Sequence, residues 1–154
     1  MKKLFGILMA LVLALALLPA TVFAEDAVAK TDDGTTYATL EEAVRAVKEG
    51  GTVTLLKSAT GAGIGTFRNP KTGQIAAKSF TIDFGGFTYT VTDPAVGSTG
   101  FETQGFHLEW SGKGDANHNV TLKNGTIEAA KGTKNVKMLV QNYCNLTLEN
   151  MVLD

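Results

Sequence analysis

Asn119-Val120-Thr121-Leu122-Lys123-Asn124-Gly125 returns, altered, as Asn145-Leu146-Thr147-Leu148-Glu149-Asn150-Met151. Both stretches alternate apolar and polar residues, the period-2 mark of a strand with one buried face. The apolar-Thr-apolar core also stands at Val53-Thr54-Leu55 and at Phe80-Thr81-Ile82. The four copies start at positions 53, 80, 120 and 146, so they are 27, 40 and 26 residues apart. Two nearly equal spacings and one longer by about half a period predict a solenoid with an insertion in one turn. The insertion falls within residues 93–105 or 111–117, both rich in Gly, Ser, Thr, Asn and Asp, as loops are.

Each turn has room for subsidiary strands. Phe87-Thr88-Tyr89-Thr90-Val91 and Phe106-His107-Leu108-Glu109-Trp110 alternate, and Gly125-Thr126-Ile127 and Met138-Leu139-Val140 occupy comparable places in the next turn. Stacked turns set equivalent strands in parallel, about 4.8 Å apart. The expected inward columns are Val53, Phe80, Val120 and Leu146, and Leu55, Ile82, Leu122 and Leu148. Thr54, Thr81, Thr121 and Thr147 form the outward column, and Asn124 and Asn150 share a register where stacked amides can bond from turn to turn. An antiparallel sandwich would alternate too. Threonine at four matched registers favours the stack.

Ahead of the repeat the period is 3.6. Leu40, Ala43, Val44 and Val47 form one apolar stripe, and Thr39 stands three residues before Glu42 at capping-box spacing. Gly50-Gly51 is the expected stop. Residues 25–36 are polar and read as a lead-in, leaving 37–154 as the folded unit.

The first 24 residues read as an export signal. Lys2 and Lys3 precede an uncharged run from Leu4 to Leu18, Pro19 breaks it, and Val22-Phe23-Ala24 offers a cleavage site after Ala24. A membrane anchor is the competing reading, but a spanning helix needs about 20 apolar residues and this run is shorter. The expected location is therefore secreted or cell-surface, with no membrane attachment after cleavage. Composition is consistent with that. The chain has 14 basic against 15 acidic residues, which gives no electrostatic footprint for nucleic acid, and its single cysteine makes no internal disulfide.

The run from Tyr37 through the helix to Thr52-Val53-Thr54-Leu55, with the coils at Asn119 and Asn145, resembles the right-handed parallel β-helix proteins of the pectate-lyase-like superfamily. The resemblance covers about residues 37–154. It implies an all-β fold of about four coils with an N-terminal amphipathic capping helix. Among the superfamily's members are polysaccharide lyases, glycoside hydrolases, adhesins and surface proteins. The signal segment is similar to those of Gram-positive gut-type bacteria. Four coils stack to only about 15–20 Å, and Val152-Leu153-Asp154 reads as strand with no cap, so the expectation is the N-terminal portion of a longer protein. An uncapped last coil exposes an apolar edge and invites self-association.

Candidate chemistry is sparse. Asp83, Lys123 and Glu149 share an outward register, where a β-helix lyase could hold calcium or abstract a proton. A column of alternating sign is also what a solvated ion-pair ladder looks like. His107 and His118 lack metal-ligand spacing, and Cys144 reads as a packed residue without a second cysteine. Gly61-Ala62-Gly63-Ile64-Gly65 lacks the lysine and following helix of a phosphate loop. Trp110, Tyr89 and Phe101 are candidate platforms for sugar rings. The expectation is a secreted or surface module that meets polysaccharide or host-surface glycan without catalysis, with no metal and no cofactor. The alternative is the N-terminal part of a polysaccharide lyase or glycoside hydrolase.

Overall fold

The computed structural model describes residues 26–66, 78–98, 100–109 and 118–154; the expected signal segment, Trp110 and the insertion candidate at residues 111–117 lie outside them. The described residues are mostly β, with one helix. Strands β1 (Ala29–Thr31) and β2 (Thr36–Tyr37) precede α1 (Leu40–Ala46), after which come β3 (Thr52–Leu55), β4 (Ala59–Gly61) and β5 (Ile64–Gly65). The next three are β6 (Phe80–Asp83), β7 (Thr88–Val91) and β8 (Gln104–Leu108). Then follow β9 (Asn119–Ala129), β10 (Met138–Asn142) and β11 (Asn145–Leu153).

Among the described residues, the strand pairings within β3 to β11 are parallel, and an isolated antiparallel bridge joins Val96 to Gln104. β3 pairs with β6, β6 with the first half of β9, and β9 with β11. β4 pairs with β7, and β7 with the second half of β9. β5 pairs with β8, and β8 with β10, in a separate three-stranded sheet. The chain thus visits three parallel sets in the same order on successive passes. β9 turns from the first set to the second at Asn124, whose φ of 59° is left-handed, and β11 does the same at Asn150, with φ 51°. Asparagine takes that conformation more readily than most non-glycine residues.

The expected columns hold from β6 onward. Phe80 faces Val120 and Ile82 faces Leu122, while in β11 Leu146 and Leu148 face the same two residues. The first rung is shifted by two residues. Val53 faces Ile82 rather than Phe80, and Thr52 rather than Thr54 joins the threonine column at Thr81. Thr52-Val53-Thr54-Leu55 carries a threonine at both registers, and a slip of two leaves every side chain on its own face, so alternation does not choose between them. Leu148 is also not interior: it is 46% exposed where its register partner Leu122 is 0%, because β9 covers only one side of β11.

Three further differences concern the first sixty-five residues. Inside the expected lead-in, β1 lies antiparallel on β3, and β2 lies antiparallel on β1. The segment from Gly61 to Gly65 is part of two strands, with glycine required by close approach: a Cβ on Gly61 would stand 2.5 Å from the Tyr89 hydroxyl. The helix starts as expected, with the Thr39 and Glu42 capping box intact, but it ends at Ala46 with Val47 as C-cap, before the glycines. Lys78 reaches across to the carbonyl oxygens of Arg45 and Val47, satisfying acceptors that the helix end leaves open.

One core joins these parts. Leu40, Ala43, Val44 and Val47 of the helix segment pack in the same cluster as Val53, Leu55, Ile82, Phe84, Leu122 and Ile127. Ile64, Phe106 and Leu108 of the three-stranded sheet belong to it as well.

Candidate functional site

One face of the three-stranded sheet carries a group of interacting polar side chains around His107. Phe106 and Leu108 of β8 turn into the core, so period 2 sends His107 and the following Glu109 to the other side. His107 Nε2 donates to Glu109 Oε2 at 2.7 Å; an ionised carboxylate only accepts, which places the proton on Nε2. The imidazole is nearly sealed from solvent at 1% exposure, while Glu109 is 34% exposed. Thr66 anchors the pair from the neighbouring strand end: its Oγ accepts from the Glu109 backbone N–H at 3.0 Å, and its own N–H donates to the His107 carbonyl at 2.9 Å.

On the other side of β8, Gln141 of β10 stands in register with His107. Gln141 Nε2 donates to the Tyr143 hydroxyl at 2.6 Å, and the Tyr143 ring lies against the His107 imidazole with centroids 5.6 Å apart and planes tilted by 34°. Tyr143 is nonetheless 51% exposed. At the His107 register β5 contributes Gly65, which adds no side chain. The face therefore presents an aromatic ring, an amide and a carboxylate around one buried imidazole.

The expected column forms. Asp83, Lys123 and Glu149 are register neighbours, with Lys123 Nζ 3.5 Å from Asp83 Oδ2. Asp83 does more than pair a lysine. Its Oδ1 accepts from the Gly85 N–H at 3.0 Å and from Asn124 Nδ2 at 3.2 Å, and Asn124 Oδ1 in turn accepts from Asn150 Nδ2 at 3.2 Å. Burial alone would raise the Asp83 pKa, but these donors and Lys123 outweigh it and hold the carboxyl below its ordinary value. Asp83 is thus the foot of an asparagine ladder. A second ladder runs from Asn145 Nδ2 to Asn119 Oδ1 at 3.1 Å, while the Asn119 N–H donates to Ser79 Oγ at 3.2 Å.

The aromatic candidates part company. Tyr89 is 2% exposed: its ring meets Phe106 edge-on at 6.0 Å, and its hydroxyl donates to the Ala62 carbonyl at 2.7 Å. It is a core residue, and the expectation of a stacking platform there is withdrawn. Phe101 is well exposed, in the loop between β7 and β8. Cys144 hydrogen-bonds Asn142 Oδ1, and burial pushes its thiol pKa up, away from a nucleophile. Among the described residues no three His, Cys, Asp or Glu side chains are placed to hold a metal, and no helix is long and apolar enough to cross a membrane.

The sequence reading missed Glu109 and Tyr143. His107 and Glu109 are two apart in an alternating stretch, which is the same-face spacing, and that signal was available. Tyr143 joins them only through the register of β10 on β8, which the sequence does not display. The chain matches no family model, no curated protein and no solved structure.

Proposed function

We propose that this chain is a secreted or cell-surface bacterial module, built as a right-handed parallel β-helix of the pectate-lyase-like kind, that binds polysaccharide or surface glycan without cleaving it. The observation that carries the reading is the recurrence of three parallel pairings in the same order, with partners such as Val120 and Leu146 one turn apart. Such a stack turns a row of outward side chains into a flat, ordered rail, suited to an extended polymer. The non-catalytic half of the reading is supported by Asp83, whose carboxylate is committed to Gly85, Asn124 and Lys123. In the same proposal, copies associate through the β11 edge, where Leu148, Val152 and Leu153 are exposed.

Two assays test it together. Immobilised glycans should retain the protein, while a polysaccharide panel incubated with it should release neither unsaturated nor new reducing ends. Cleavage that Asp83→Ala abolishes would overturn the reading in favour of a lyase or hydrolase. One observation speaks for that second reading, the hydrogen-bonded His107 and Glu109 beside an exposed tyrosine, which is a plausible acid–base set. Cleavage lost in His107→Gln with Asp83→Ala unaffected would place the chemistry there. Sedimentation velocity across a concentration series tests the association, which Val152→Lys should suppress.

A further inference from the structure

Tyr143, Gln141 and Glu109 form a group whose members are held from beneath. An exposed aromatic side chain ordinarily loses rotamer freedom when a ligand covers it, and that cost is subtracted from affinity. Tyr143 has already met it. Its ring rests on the His107 imidazole and its hydroxyl is held by the Gln141 amide, so both ends of the side chain are fixed while half of its surface stays open. Glu109 is fixed in the same way, by His107 at its carboxylate and by Thr66 at its backbone. Ring and carboxylate both touch the same imidazole.

The chemistry of the open positions selects the ligand. A flat ring offers dispersion and C–H contact to the apolar face of a pyranose. A carboxylate has about four lone-pair sites, and His107 takes one at Glu109, which leaves acceptors for adjacent hydroxyls. The Gln141 amide has two N–H donors, and the hydrogen bond to Tyr143 uses one. The formal charge carried by these three side chains is negative, which disfavours a uronate or sulfated sugar through like-charge repulsion.

We propose that Tyr143, Glu109 and Gln141 are a binding subsite for a neutral sugar unit of a polysaccharide, with Tyr143 as the stacking platform and the other two as hydroxyl partners. The proposal rests on the reading of the chain as a glycan-binding module and names the residues and sugar class for it. His107 is a positioning residue here, since it holds ring and carboxylate without facing the sugar.

Affinity electrophoresis of the full chain through gels containing hydroxyethyl cellulose, galactomannan or polygalacturonate tests it. Retardation is expected with a neutral polymer and not with polygalacturonate. Tyr143→Ala should weaken the neutral interaction about tenfold or more, as loss of a central aromatic anchor does, whereas Tyr143→Phe keeps the ring but releases the Gln141 amide and should lose only a part of that. Glu109→Gln should weaken neutral binding and reduce the discrimination against polygalacturonate, a change in specificity that a merely structural role would not produce. Should Tyr143→Ala fail to fold, judged by far-UV circular dichroism, the Glu109→Gln shift decides. Neutral binding that ignores both substitutions overturns this subsite and leaves the module reading standing; preference for polygalacturonate also overturns it. Failure of the wild type to bind any glycan sinks both.

Discussion

Asn124 joins the backbone geometry and the side-chain ladder in one residue. Its left-handed φ turns β9 from one sheet to the next, and its amide bonds Asp83 below and Asn150 above. The two contributions separate by substitution. Asn124→Gly keeps the φ and loses the ladder; Asn124→Ala loses both, and should cost about 1–2 kcal/mol more of unfolding free energy than the glycine variant in urea. Equal losses would mean that the ladder alone matters. Acid should find two other residues. Asp33 is held at about pKa 2, first by the Thr31 hydroxyl and then by the Thr35 N–H, and Asp83 is lowered as described. Both folded pKa values lie below the unfolded value near 3.9. Their stabilisation is therefore complete above about pH 4 and is lost as pH falls through the folded values. Thermal midpoints should hold near neutrality and fall between about pH 4 and 2, and Asp33→Asn with Asp83→Asn should flatten that slope. The Asn124 and Asn150 register was legible in the sequence, because the repeat prints it. That Asp83 ends the ladder was not, because the first rungs carry no asparagine there.

Among the elements, α1 was the most legible, since its cap and stripe are local signals. Its stop was less so: the helix ends where Lys78 supplies a remote cap, thirty-one residues on from Val47. The short strand β1 escaped notice because Ala29-Lys30-Thr31 is too brief for a period and runs straight into the polar Asp32-Asp33. β9 shows how one element serves two sheets. Gly125 follows the Asn124 turn where β9 passes the preceding rung, and a Cβ there would meet Phe84 and stand 2.5 Å from the Phe87 carbonyl oxygen. Gly125→Ala should therefore destabilise by about 1–3 kcal/mol through overpacking. Chemical denaturation of that variant beside Gly132→Ala, where no atom lies within 4 Å of the added carbon but φ is 83°, separates the cost of crowding from the cost of a left-handed alanine.

At the scale of the molecule, equivalence by register is not equivalence by energy. Leu122 and Leu148 face each other across β9 and β11, yet one is sealed and the other is nearly half exposed. Leu122→Ala should cost about 2–5 kcal/mol, and Leu148→Ala about 1 kcal/mol or less. Equilibrium unfolding of the dilute protein should show that difference, and the Leu148→Ala cost should rise at concentrations where copies associate through the β11 edge. The parallel pairing of the strands at Phe80, Val120 and Leu146, with their aligned threonines, was legible because those three stretches repeat one pattern. The two-residue slip of the first rung was not, since alternation is blind to even shifts. The cluster at His107 was legible only in part, for it draws on two strands whose alignment arises from folding.

The antiparallel strand β1 has one more implication. It lies across the flank of β3, and the two-residue β2 lies beyond it, so pairing on that side is brought to a halt by strands running the wrong way and too short to extend. That flank therefore offers a neighbouring parallel strand no continuous edge to join.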